Sequence, residues 1–124
     1  MDRNYWLVIA SIAGATGVMA GAFGAHGLKD KVSPEMLAIF ETGARYQLLH
    51  ALALLGIAAL SSTGNNRTLS LAGWAFTLGI LVFSGSLYLL VLTGARWWGA
   101  VTPIGGVALI VGWVMLGVAG MRRG

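Results

Sequence analysis

His26, Glu41 and His50 are the side chains of this sequence best suited to acid–base chemistry or to offering a lone pair to a ligand. Each stands in or beside a long apolar stretch, where an ionisable group is costly and is first read as a site. Arg45, Tyr46 and Gln47 fall between Glu41 and His50, and Ser84, Ser86 and Tyr88 form a second polar group further on. These nine residues could handle protons or hold a small polar ligand. They do not make a catalytic set, because no nucleophile, base and orienting group follow a recognisable spacing. No metal site is expected either. The chain has no Cys, which excludes disulfides, thiolate metal sites and Cys nucleophiles. Haem held by His26 and His50 is disfavoured, since on neighbouring antiparallel helices His26 lies nearly two turns shallower. No cofactor is expected.

The elements that carry these residues are set by composition. The chain has 124 residues, of which 57% are hydrophobic and 10% charged. A soluble domain carries roughly 25% charged residues to wet its surface. Crossing the hydrocarbon core takes about 20 apolar residues, and four such stretches occur. The expected fold is therefore all-α: a polytopic membrane protein built as an antiparallel four-transmembrane-helix bundle. Residues 1–124 form one domain, with helices at about 5–27, 34–61, 69–93 and 102–121. Lys29-Asp30-Lys31, the polar turn Ser61 to Arg67, Thr93-Gly94-Ala95-Arg96 and Met121-Arg122-Arg123 punctuate them. Ser33, Pro34 and Glu35 read as cap, first residue and dipole partner of the second helix. Thr102 and Pro103 carry a similar signal for the fourth.

Four antiparallel spans put the loops after the first and third helices on one side. His26 exits on that side, and Glu41 to His50 enter from it. Ser84, Ser86 and Tyr88 occupy the same half of the third span, and the opposite half is nearly all Leu, Ala, Ile and Val. At 1.5 Å per residue, His50 and Ser84 both lie roughly 4–5 Å from the midplane, so a bond from His50 to Ser84 or Ser86 is geometrically reasonable. Glu41 and Arg45 are an i,i+4 pair in the favourable order and are expected to neutralise each other. For His50, a hydrogen-bonded packing role competes with proton handling. For His26, a contact with the helix end competes with a site role.

The chain has 19 glycines. Gly14, Gly17, Gly21 and Gly24 in the first span, Gly85 in the third, and Gly105, Gly106 and Gly112 in the fourth read as packing positions that let backbones approach. The first-span stripe Ala13, Gly17, Gly21 and Ala25, flanked by Gly14 and Gly24, also offers a face for a homo-oligomer. The net charge of +4 is scattered between apolar runs and bears on orientation, with no nucleic-acid partner implied. If Arg45 is set aside, basic residues favour cytoplasmic termini by one.

Taken together, Gly21-Ala22-Phe23-Gly24-Ala25-His26-Gly27, Arg45-Tyr46-Gln47 with His50-Ala51-Leu52, Phe83-Ser84-Gly85-Ser86-Leu87-Tyr88, and Thr102-Pro103-Ile104-Gly105-Gly106 with Gly112-Trp113 resemble the domain-of-unknown-function family numbered 423. The likeness spans nearly the whole chain. It implies a small four-helix protein of the bacterial inner membrane, related to mitochondrial transmembrane protein 256, and it carries no assigned activity. The leading expectation is a structural or lipid-interacting protein, or an accessory subunit of a larger membrane complex. The alternative is an oligomeric transporter or channel for protons or a small solute, with its polar site around His50. An enzyme is the weakest of the three readings.

Overall fold

The computed structural model describes residues 4–62 and 67–123, the last by its backbone alone. Every regular element in it is helical: α1 (Tyr5–Phe23), α2 (Pro34–Ser61), α3 (Arg67–Thr93) and α4 (Trp98–Arg123). All four are long and apolar enough to cross a membrane. The polar turn expected before Arg67 includes residues 63–66, which lie outside the described residues.

Local chemistry explains most of the helix ends. The Asn4 side chain caps α1 by accepting from the Leu7 N–H, and its amide donates to the Ala58 carbonyl of α2. Ser33 caps α2 by accepting from Met36 N–H, with Pro34 first in the helix and Glu35 in the first turn. Past Phe23 the first helix widens into a π turn over Gly24–Leu28, and the Phe23 ring folds over Gly27 where a side chain would stand. Such single wide turns are uncommon and often sit at functional positions.

The fourth helix begins at Trp98, four residues before the expected Thr102 cap. Gly94, at φ 73°, ends α3, and its N–H donates to the Leu90 carbonyl. The chain then turns within Ala95–Trp97 and re-enters a helix at once, with the rings of Trp97 and Trp98 stacked 4.1 Å apart. Pro103 therefore lies inside α4, where it has no N–H to give the Gly99 carbonyl. The Thr102 hydroxyl donates to the Trp98 carbonyl at this weak point, the kind of local side-chain bond that lets membrane helices carry proline.

Side-chain bonds at the two ends fix the alternating direction. Asn4 reaches Ala58 at one end, where Arg122 of α4 also donates to the Thr68 hydroxyl of α3. At the other end Arg96, after α3, pairs with Glu35 at the start of α2. Each helix packs chiefly on its sequence neighbours. Two apolar clusters fill the interior. One joins Trp6, Leu54, Ile57, Leu69, Phe76 and Leu109 toward the terminal end. The other joins Leu28, Phe40, Leu90 and Val91 at the opposite end.

Candidate functional site

A layer of buried polar side chains, Gln47, His50, Ser84 and Ser86, lies along the middle of α2 and α3. Close approach of the two helices places it there. The Tyr88 ring of α3 covers Gly43 of α2, where a Cβ would come within 2.9 Å of it. That contact lets the Ser84 hydroxyl donate to the Gly43 carbonyl at 2.7 Å.

Gln47 joins three helices. Its amide N–H groups reach the Ala13 carbonyl at 2.9 Å and the Thr16 hydroxyl at 2.7 Å on α1. Its carbonyl oxygen accepts from the Tyr88 hydroxyl of α3 at 2.7 Å. A side-chain amide in hydrocarbon needs partners for both ends, and here both are filled.

His50 joins α2 to α4. Its Nε2 lies 3.0 Å from the indole nitrogen of Trp113. Indole N–H can only donate, so Nε2 is the acceptor and Nδ1 holds the proton. Nδ1 then donates to the Tyr46 carbonyl one turn back, at 2.8 Å. The ring is enclosed by Tyr46, Phe76 and Trp113. The expected bond from His50 to Ser84 or Ser86 is not formed, because each hydroxyl is engaged elsewhere. Ser84 goes to Gly43, and Ser86 shares a 2.6 Å bond with Thr102 of α4.

The remaining candidates lie outside this layer. His26 is exposed in the π turn. Glu41 and Arg45 are exposed on α2, and the expected ion pair between them is not made. Among the described residues the one ion pair is Arg96–Glu35, at 3.5 Å between side chains 71% and 68% exposed. On the lipid-facing surface a lone Arg side chain extends toward the interface more readily than it folds onto a helical neighbour. Tyr46 is partly exposed, with its ring 4.8 Å from Phe83.

Of the expected packing glycines, Gly17, Gly24, Gly105 and Gly112 lie against Leu48, Phe40, Phe83 and Phe76 respectively. Gly106 is in ordinary contact with Phe83, and an added Cβ at Gly14, Gly21 or Gly85 would meet nothing within 4 Å. Gly43, Gly73 and Gly79 are equally tight positions that sequence reasoning passed over. So were the partners Thr16 and Trp113. Trp113 carried a usable signal: a mid-span indole N–H needs an acceptor, and His50 is a strong one.

Chemically this layer is a clamp. No buried side-chain nitrogen or oxygen among the described residues lacks a partner. No three His, Asp or Glu side chains among them converge as metal ligands would.

Four membrane-spanning helices stitched together at mid-depth define a small all-helical, multi-pass membrane protein. The chain belongs to the family described as protein of unknown function (DUF423), whose model matches residues 20–106. It is 45% identical over 114 residues to a UPF0382 membrane protein of Staphylococcus aureus (strain bovine RF122 / ET3-1), covering 92% of this chain and 93% of that one. It is 41% identical over 121 residues to the UPF0382 membrane protein YwdK of Bacillus subtilis (strain 168), covering 94% and 96%. No solved structure matches the chain.

Proposed function

We propose that this protein is a structural, lipid-interacting component of the bacterial cytoplasmic membrane, or an accessory subunit of a membrane complex, with both termini in the cytoplasm. One observation carries this reading. The buried polar residues in the middle of the bundle are consumed in holding helices together: Gln47 binds α1 and α3, Ser84 binds α2, and His50 and Ser86 bind α4. A transport site keeps polar groups turned toward a path for the solute. Here each faces another helix and has a partner. What remains for interaction is the outer surface, where large apolar side chains such as Leu52, Leu81 and Ile110 stand exposed.

Reconstitution into liposomes tests this. Vesicles holding the protein are expected to leak protons no faster than empty ones, and His50→Ala is expected to lower stability without changing that rate. Proton flux that depends on His50 would overturn the reading in favour of an oligomeric transporter. A C-terminal reporter that is active only in the cytoplasm is expected to be active, and a silent reporter would reverse the proposed orientation.

A further inference from the structure

α1 and α3 run in the same direction; they touch directly near one end, and near the other α2 bridges them. At one end Trp6 of α1 lies over Gly73 and meets the Trp74 ring edge-on, 5.2 Å away. At the other, the rings of Phe23, Phe40 and Tyr88 form a chain from α1 across α2 to α3, at 5.8 and 4.8 Å. Between these contacts is a crevice of about 430 Å³. Ile9 and Ile12 form one wall, Ile80 and Leu81 the other, and Gln47 and Leu54 of α2 the floor. Its lips face outward, with Ile12 60% and Leu81 65% exposed. Both helices span the membrane, so the crevice opens sideways into hydrocarbon.

We propose that this crevice is a binding site for a single acyl chain of a bilayer phospholipid, an inference that rests on the lipid-interacting reading above. Three features select that occupant. First, the walls are mainly aliphatic, and the polar groups that line the crevice are already engaged: Gln47 bonds Thr16 and Tyr88, and Thr77 donates to the Gly73 carbonyl, so a saturated chain leaves no hydrogen bond unmade. Second, size fits. An apolar cavity of about 150 Å³ takes the six carbons of benzene, so a space nearly three times larger takes about 17 carbons. Third, shape favours a chain over a transmembrane helix of a second copy. Such a helix is about 10 Å across and would run the full span, whereas the crevice is stopped at one end by Trp6 on Gly73 and at the other by the Phe23–Phe40–Tyr88 rings. A flexible chain enters sideways while its headgroup stays at the interface. Left empty, the walls would forfeit dispersion contacts along their length.

The test places the whole protein in phospholipid vesicles containing a phosphatidylcholine with a diazirine near the end of one acyl chain. After irradiation, adducts are mapped by mass spectrometry. Adducts on residues 9–16 and 77–85 are expected to exceed those on the outward-facing Leu52 and Ile110 several-fold. Gly85→Leu should abolish the excess, because a side chain there has open space and grows into the crevice. Ile12→Trp plugs the opposite wall and should do the same if Gly85→Leu does not fold. In both variants adducts on Leu52 and Ile110 should persist. Equal labelling of all lipid-facing positions would overturn the proposal. So would a disulfide-linked dimer of an Ile12→Cys variant, which would make a second copy the occupant. Proton flux in the liposome assay would instead sink the structural reading and leave the adduct pattern to stand or fall by itself.

Discussion

The indole N–H of Trp113 donates to Nε2 of His50 across 3.0 Å, tying α4 to α2 through side chains alone. The two helices share little backbone contact, so this bond spans a gap that α3 otherwise fills. It also fixes the imidazole as the Nδ1–H tautomer, with Tyr46 taking that proton's bond.

Trp113→Phe keeps an aromatic ring and removes the donor. Interhelical bonds of this kind contribute about 0.6 kcal/mol on average and up to about 1.7 in membranes. Trp113→Phe and His50→Phe are each expected to lower stability, and the double variant to lose less than the sum. A denaturation cycle in detergent micelles measures the coupling. Additive losses would mean that the bond contributes nothing.

Gln47→Leu should be the most damaging polar substitution. It removes the Tyr88 hydroxyl's acceptor and both bonds to α1 at once. Each group left without a partner costs about 1–3 kcal/mol. Tyr88→Phe removes one of the three bonds and is expected to cost less. Equal losses for the two in thermal unfolding would contradict a three-helix role for Gln47.

These pairings divide what can be read in the chain from what cannot. The four spans are plain because apolar length is a one-dimensional property, and the Ser33-Pro34 start of α2 is plain because a cap is local. Which helices carry hydrogen-bonding groups is also legible, since Gln47, His50, Ser84 and Ser86 stand out against Leu and Ala. Their partners are not. Depth arithmetic placed His50 and Ser84 at one level, but rotation about each helix axis decides who meets whom. Rotation is set by close contacts such as Tyr88 on Gly43. The early start of α4 was hidden for a similar reason: Pro103 imitates a first residue, while the true start depends on Gly94 adopting a positive φ. Glu41 and Arg45 have favourable spacing, yet spacing does not reveal whether a lipid-exposed Arg folds back or extends.

The exposed pair between Glu35 and Arg96 offers a contrast with the buried layer. Both side chains are about 70% exposed, so solvent and headgroups screen their attraction. Glu35→Gln is expected to change stability by less than about 1 kcal/mol, since exposed pairs typically give no more. A larger loss in thermal unfolding would show that the pair is shielded in the membrane.

Two kinds of glycine should respond oppositely to alanine. Gly105 lies against the backbone of Phe83, so a Cβ there must push α3 and α4 apart. Backbone cannot move aside as a side-chain tip can, and overpacking costs about 1–3 kcal/mol or more. Gly105→Ala should therefore destabilise the fold strongly. Gly14 and Gly21 have nothing within 4 Å of an added Cβ. There, alanine removes glycine's helix penalty of about 1 kcal/mol, less in lipid where the backbone is already committed to helix. Gly14→Ala and Gly21→Ala should be neutral or slightly stabilising for the single chain. If this face of α1 also packs against a second copy, the same methyl groups would hold the two backbones apart. Thermal stability together with oligomer mass at several detergent ratios separates the cases. Unchanged mass with equal or higher stability means that the face meets lipid. A loss of oligomer at unchanged monomer stability means that it meets another copy.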